Sequence, residues 1–137
     1  MELVPFRPEH LAGIDPPAMG PDQLAFFSRH YRPCGPAWTG IAAGRVVGCG
    51  GIVPDEDGGG TAWAILSHPV RAAAVHRAAL RLLKHDSIPP RLAAAARADW
   101  PGACRWLERL GFRDLGIEGE YRRYVKCRQP CQRSLPV

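Results

Sequence analysis

The stretch Ala103-Cys104-Arg105-Trp106-Leu107-Glu108-Arg109-Leu110-Gly111-Phe112 decides how the rest of this chain is read. Ala103, Trp106, Leu107 and Leu110 recur at helical spacing, so they share one face. Arg105, Glu108 and Arg109 fall on the wet side, where Arg105 and Glu108 are placed to pair. Gly111 occupies the position at which a helix closes through a left-handed residue, and Phe112 can fold back onto the last turn. Upstream, Asp99 is available as a cap and Pro101 suits the first turn. Taken alone, such a short amphipathic helix ending on glycine is an ordinary structural device.

Working back from it, Val75, Ala78, Ala79, Leu82 and Leu83 form the apolar stripe of a longer helix. Pro69 suits its opening and Pro89-Pro90 forbids its continuation. Arg77, Arg81 and Lys84 take its opposite side, and the cations near its end oppose the negative pole of the helix dipole. Between the two helices, Arg91–Ala98 is ambiguous: alanine propensity says helix, whereas the bracket of Pro90 and Pro101 suits a buried strand in a βαβ unit. Further back, Thr61–Leu66 reads as a strand with Trp63 and Ile65 on one face, preceded by an acidic glycine-rich connection, Asp55–Gly60, expected to pack little. Ala37–Ala42 and Arg45–Val53 read as strands joined by a hairpin turn at Ala43-Gly44. Gly48, Gly50 and Gly51 suggest a bulge or a close backbone approach in the second.

At the start, residues 2–7 read as a strand stopped by Pro8, followed by a proline-broken loop region and a helix over Asp22–Tyr31. After Phe112, Arg113–Ile117 and Glu120–Cys127 read as a closing hairpin around Gly116 and Gly119, and residues 128–137 as a loose basic tail. The 137 residues are enough for one core, so the expected organisation is a single domain over 1–127 with the tail appended.

Composition excludes several classes. Hydrophobic residues at 46% and charged residues at 23% are ordinary for a soluble globular chain. No apolar run approaches membrane-spanning length, and the N-terminus lacks a signal-peptide pattern, so a cytoplasmic location is the default expectation. The five cysteines are odd in number and irregularly spaced, and the five histidines are scattered, so neither a secreted disulfide framework nor a zinc site is expected. The net charge of +5 draws on Arg122, Arg123, Lys126, Arg128 and Arg133 near the end. A solvated basic face is the simpler reading, and contact with a polyanion, nucleic acid or cofactor phosphates, is the alternative.

The late helix with its Leu-Gly-Phe step, Leu110-Gly111-Phe112, resembles the GCN5-related N-acetyltransferase (GNAT) family. The element order of residues 1–125 is similar to that family's, and that order selects strand for Arg91–Ala98. The resemblance implies an α/β fold, a GNAT-like acyl-CoA N-acyltransferase with a central mixed sheet flanked by helices. It also implies acetyl-CoA as cofactor and acetyl transfer to an amine, of a small molecule or a peptide. In that family the strand before the central helix splays from its neighbour to admit the pantetheine arm, and the turn into the helix offers backbone N–H groups to the pyrophosphate. The cofactor-binding positions implied here are Leu66, Ser67, His68, Arg71, Ala72, Ala74, His76 and Arg77.

This chain departs from the family pattern at that turn. Arg71 fits the first position, but Ala72, Ala74 and His76 stand where small residues, mostly glycine, are usual. His76, Arg71 and Arg77 can instead donate to a phosphate. Leu107 stands at the place of the tyrosine that protonates the leaving thiolate in many members, and it cannot exchange a proton. The strand Thr61–Leu66 and Ser67 offer no carboxylate to act as base. The substitutes are His68, which can titrate near neutrality, and Tyr121 and Tyr124 in the final hairpin. These departures also support a second reading, a catalytically inactive GNAT-fold binding or structural protein. In compactness the chain is similar to acetyltransferase-like proteins encoded by bacteriophages, some of them virion components that join a larger assembly. A homo-oligomer is also compatible with the sequence.

Overall fold

A computed structural model of the protein describes residues 1–14, 35–67 and 72–128. The helix expected over Asp22–Tyr31, Pro69 and the tail beyond Arg128 lie outside the described residues. The described elements are β1 (Glu2–Pro5), a 3-10 helix (Pro8–Gly13), β2 (Ala37–Ala42), β3 (Arg45–Pro54), β4 (Gly60–Leu66), α1 (Ala72–Leu83), β5 (Arg91–Arg97), α2 (Pro101–Arg109), β6 (Arg113–Glu118) and β7 (Tyr121–Cys127). The alanine-rich segment is a strand, as the family order implied: burial of Leu92, Ala94 and Ala96 on one sheet face, pairing with β4 and β7, and the flanking prolines override its local helix propensity.

The strands form one mixed sheet in the order β1-β2-β3-β4-β5-β7-β6. β4 and β5 run parallel, joined through the α1 crossover, and every other pairing is antiparallel. β2 and β3 meet through the expected two-residue turn, with Ala43 and Gly44 both at positive φ. Gly51 is required by close approach: a Cβ there would lie 2.6 Å from the Pro36 carbonyl oxygen and 2.7 Å from the Ala37 Cβ.

Each sheet face has its own core. On one, Ile52, Leu92, Ala94, Ala96 and Tyr124 pack with Cys104, Leu110 and Phe112, against Ala79 and Leu83 of α1 and Ala103, Trp106 and Leu107 of α2. On the other, Cys49 and Ile65 pack with Phe6, Leu11 and Ile14 around the 3-10 helix. Thr39, fully buried there, bonds to His10 Nδ1 at 2.7 Å and lies 3.4 Å from Cys49 Sγ. Because His10 Nδ1 also accepts the Arg7 N–H at 3.1 Å, the Thr39 hydroxyl is the donor to His10. Cys49 and Cys104 are buried free thiols, whereas Cys127 is disulfide-bonded.

Helix α2 closes as its sequence implies. Gly111 has φ 99°, its N–H donates to the Glu108 carbonyl at 3.0 Å, and the Phe112 N–H donates to the Leu107 carbonyl at 3.0 Å. This pair of bonds is a Schellman motif, and it turns Phe112 into the core. Two local expectations are corrected. Asp99 does not cap α2: the N-cap is Trp100, without a side-chain bond, because the Asp99 carboxylate is held by Arg97. Glu108 does not pair with Arg105, because it accepts the Tyr124 hydroxyl, which is buried and has no water to turn to.

The acidic connection is also tied down rather than loose. Asp57 accepts the Gly59 N–H at 3.0 Å and pairs with Arg91 at the start of β5. The final hairpin turns at Gly119-Glu120, while Gly116 marks an irregularity in the β6–β7 register rather than the turn. Replacing Gly111 with alanine forces a left-handed backbone on a residue with a Cβ, and it crowds the movable Lys126 ammonium. Urea unfolding of Gly111→Ala is expected to show a loss of about 1–2 kcal/mol with an unchanged slope; stability equal to that of the parent chain would contradict this account of the helix stop.

Candidate active site

The sheet opens where β4 leaves β5. Their ladder consists of Gly60 opposite Leu92 and Thr61 opposite Ala93, and it goes no further. Beyond it β4 stays paired with β3 as far as Leu66, and β5 stays paired with β7 as far as Arg97. Both strands are therefore held from outside while the space between them widens toward their carboxyl ends. The unladdered edges comprise Ala62–Leu66 on β4, where alanines alternate with Trp63 and Ile65, and Ala94–Arg97 on β5. An extended chain carrying amides fits such a gap, because it supplies the donors and acceptors of a missing strand. A pantetheine arm is a chain of that kind.

Of the candidate cofactor residues, those described lie at the end of β4 and on the first turns of α1. Leu66 closes β4, its side chain pressed on Gly48, and the Ser67 N–H donates to the Val47 carbonyl at 2.8 Å. His68 and Arg71 lie outside the described residues. Ala72 and Arg77 are exposed on the first turns of α1, and Ala74 and His76 are half-buried. The His76 Nδ1 is buried and without a hydrogen-bond partner.

The two tyrosines are not equivalent. Tyr121 opens β7 opposite Arg97 and Glu118 and is 47% exposed. Tyr124 sits opposite Ala94, is 1% exposed, and donates its hydroxyl to Glu108 Oε2 at 2.9 Å. Burial first, and then the bond to Glu108, push its phenol well above the ordinary tyrosine range. Its proton therefore stays in place through neutral pH and links β7 to α2. No sequence signal pointed to this link, because it joins positions on two elements whose contact exists only in the fold.

A different concavity lies at the other end of α1. It holds about 290 Å³ and is lined by Leu80, Leu83, Lys84, Leu110, Lys126 and Arg128. The carboxyl ends of α1 and α2 meet here, and Arg128 donates to the carbonyls of His85 and Ile88. Arg128 thus satisfies carbonyls of the turn that follows α1, a structural use distinct from the gap. Among the described residues, no cluster of His, Cys, Asp or Glu is suited to a metal ion, and no helix is long and apolar enough to cross a membrane.

The parted strands and the crossover helix recur in known structures. The fold is that of the GNAT acyltransferases. An acetyltransferase of the GNAT family from Bacillus anthracis superposes with a TM-score of 0.66 at 11% identity, covering 92% of this chain and 93% of its own. A chimera of the Vibrio cholerae spermidine N-acetyltransferase SpeG with hSSAT gives 0.68 at 12% identity, covering 93% and 96%. A GNAT-family acetyltransferase from Streptococcus pneumoniae gives 0.59 at 12% identity, covering 92% and 98%. No family model matches the sequence, and no curated protein matches it. None of these likenesses bears on the comparison with phage-encoded proteins.

Because the folded state holds the Tyr124 proton more tightly than the unfolded chain does, the associated stability is complete below about pH 10 and is lost as pH rises through the folded value. Tyr124→Phe is expected to cost about 1 kcal/mol at neutral pH and to flatten the alkaline decline in stability. Urea midpoints measured from pH 7 to 11 check this; an alkaline slope of the same size in the variant would refute it.

Proposed function

We propose that this protein is an N-acetyltransferase that moves an acetyl group from acetyl-CoA to an amine. The observation that carries the proposal is the β4–β5 ladder, which stops after Thr61 and Ala93 and leaves two strand edges open beside α1. Acetyl-CoA supplies the acyl group as a thioester. The chain holds the arm along β4 and β5, and it meets the phosphates with Arg71, His76 and Arg77 around Ala72 and Ala74 at the start of α1. Leu66 and Ser67 end β4 beyond the point where its ladder with β5 stops.

The amine must lose a proton, and the strand that most directly faces the gap has no carboxylate between Thr61 and Ser67. Asp57 does not replace it: Arg91, followed by the Gly59 N–H, holds its carboxylate below the ordinary aspartate range. His68 directly follows that strand in the chain and carries a ring nitrogen suited to accept the proton. Tyr121, exposed at the start of β7, is the phenol a substrate can reach, whereas the Tyr124 proton is committed to Glu108. Rate then comes chiefly from holding amine and thioester together, which by itself supplies a large effective concentration. A spermidine N-acetyltransferase among the structural likenesses supports a small amine as acceptor.

The second reading keeps the cofactor-shaped gap and drops the chemistry. It is favoured by Leu107, which offers no proton on α2, and by the missing carboxylate on β4. Calorimetry with acetyl-CoA tests the shared premise. Saturable binding is expected, weakened about tenfold or more by His76→Glu and by Arg71→Glu, since each puts a negative charge where a phosphate donor stood. No heat at millimolar acetyl-CoA would defeat the proposal. Binding without acetylation of any member of a polyamine and peptide-amine panel, followed by mass spectrometry, would leave the inactive scaffold as the answer.

A further inference from the structure

Trp100 breaks two local rules at once. It is the N-cap of α2, a position where a short polar side chain is preferred, and it makes no capping bond. It is also a large apolar side chain left 39% exposed and belongs to neither core cluster. Places where a chain departs from local preference without a packing gain are where function is sought.

The indole is nonetheless held in place. The Arg97 guanidinium lies over its ring, 5.2 Å from the centroid. Arg97 is in turn gripped by Asp99, Nε to Oδ1 at 3.1 Å and Nη2 to Oδ2 at 2.9 Å. The Asp99 carboxylate offsets the guanidinium charge, so this unit presents a flat ring rather than a free cation. Its place in the fold gives it meaning. β5 has no β4 partner after Ala93, so the stretch from Ala94 to Arg97 borders the gap, and Trp100 stands a short turn beyond its open end.

We infer that Trp100 is the platform on which the adenine ring of coenzyme A stacks, with Arg97 and Asp99 as positioning residues that hold the indole. This rests on the cofactor reading above, in which the pantetheine lies in the gap and the nucleotide end emerges at its mouth. A purine needs only a π-face to stack upon, and a pre-oriented indole gives one at little ordering cost. The consequence is a choice of donor: a thioester that carries the nucleotide is held more tightly than one on phosphopantetheine alone.

Titration calorimetry of the full chain with CoA and with 4′-phosphopantetheine tests this, using the parent protein, Trp100→Ala and Trp100→Phe. Trp100→Ala is expected to weaken CoA about 5- to 150-fold, the range covered by loss of one base–aromatic stack, and to leave 4′-phosphopantetheine unchanged. Trp100→Phe is expected to recover most of the loss. CoA binding that Trp100→Ala leaves untouched overturns the inference alone. Equal weakening of both ligands also overturns it, because it signals a distorted gap rather than a lost stack. If the parent protein binds neither ligand, the cofactor reading falls and takes this inference with it.

Discussion

The short parallel contact between β4 and β5 is the constraint on which the rest of the molecule depends. β4 is saturated along its length by β3, and β5 by β7, so each strand already belongs to an antiparallel unit before the two meet. They share only the pairs Gly60–Leu92 and Thr61–Ala93. The sheet is thus two antiparallel halves joined at one end, and the gap follows from that arrangement without any strained backbone to hold it open. What keeps the halves together is apolar burial: Ile52 and Ala62 from one half pack with Leu92 and Ala94 from the other, under α1 and α2. The exposed Asp57–Arg91 pair sits at the same joined end, and a pair that open to water adds little.

The polar groups divide by the work they do. Thr39 with His10, Tyr124 with Glu108, and Arg128 with the carbonyls after α1 each satisfy a buried or helix-end group, and each ties elements distant in sequence. They are structural. Other described groups are not used in this way: the Nδ1 of His76 is unpartnered, and Tyr121 and Trp100 are exposed. The acid and base positions of the family pattern hold a leucine and no carboxylate.

Much of the fold was legible before any coordinates. The Leu110-Gly111-Phe112 step announced the helix stop because only a residue free of Cβ strain closes a helix that way. The Ala43-Gly44 turn and the stripe of Val75, Ala78 and Ala79 were equally plain, since each obeys a period or a turn rule that acts within a few residues. Arg91–Arg97 was not legible from its residues, because alanine favours a helix, and only pairing with β4 and β7 and burial of Leu92, Ala94 and Ala96 on one sheet face make it a strand. The roles of Asp99 and Glu108 were misjudged for a related reason. Local rules offered each a partner nearby, and the fold supplied a better one: Arg97 with two bonds for Asp99, and a buried phenol for Glu108.

The sequence alone determined the order and type of most elements, the turn at Ala43-Gly44, the glycine stop of α2, and the absence of a carboxylate and a tyrosine where the family pattern has them. All of these are properties of short windows, governed by backbone preference and by side-chain chemistry. The tertiary structure alone decided that β4 parts from β5, that Tyr124 is buried against Glu108, and that Trp100 stands exposed beside Arg97 at the mouth of the gap. Each of these depends on which surfaces are left after the two halves of the sheet have packed, and no window along the chain contains that information.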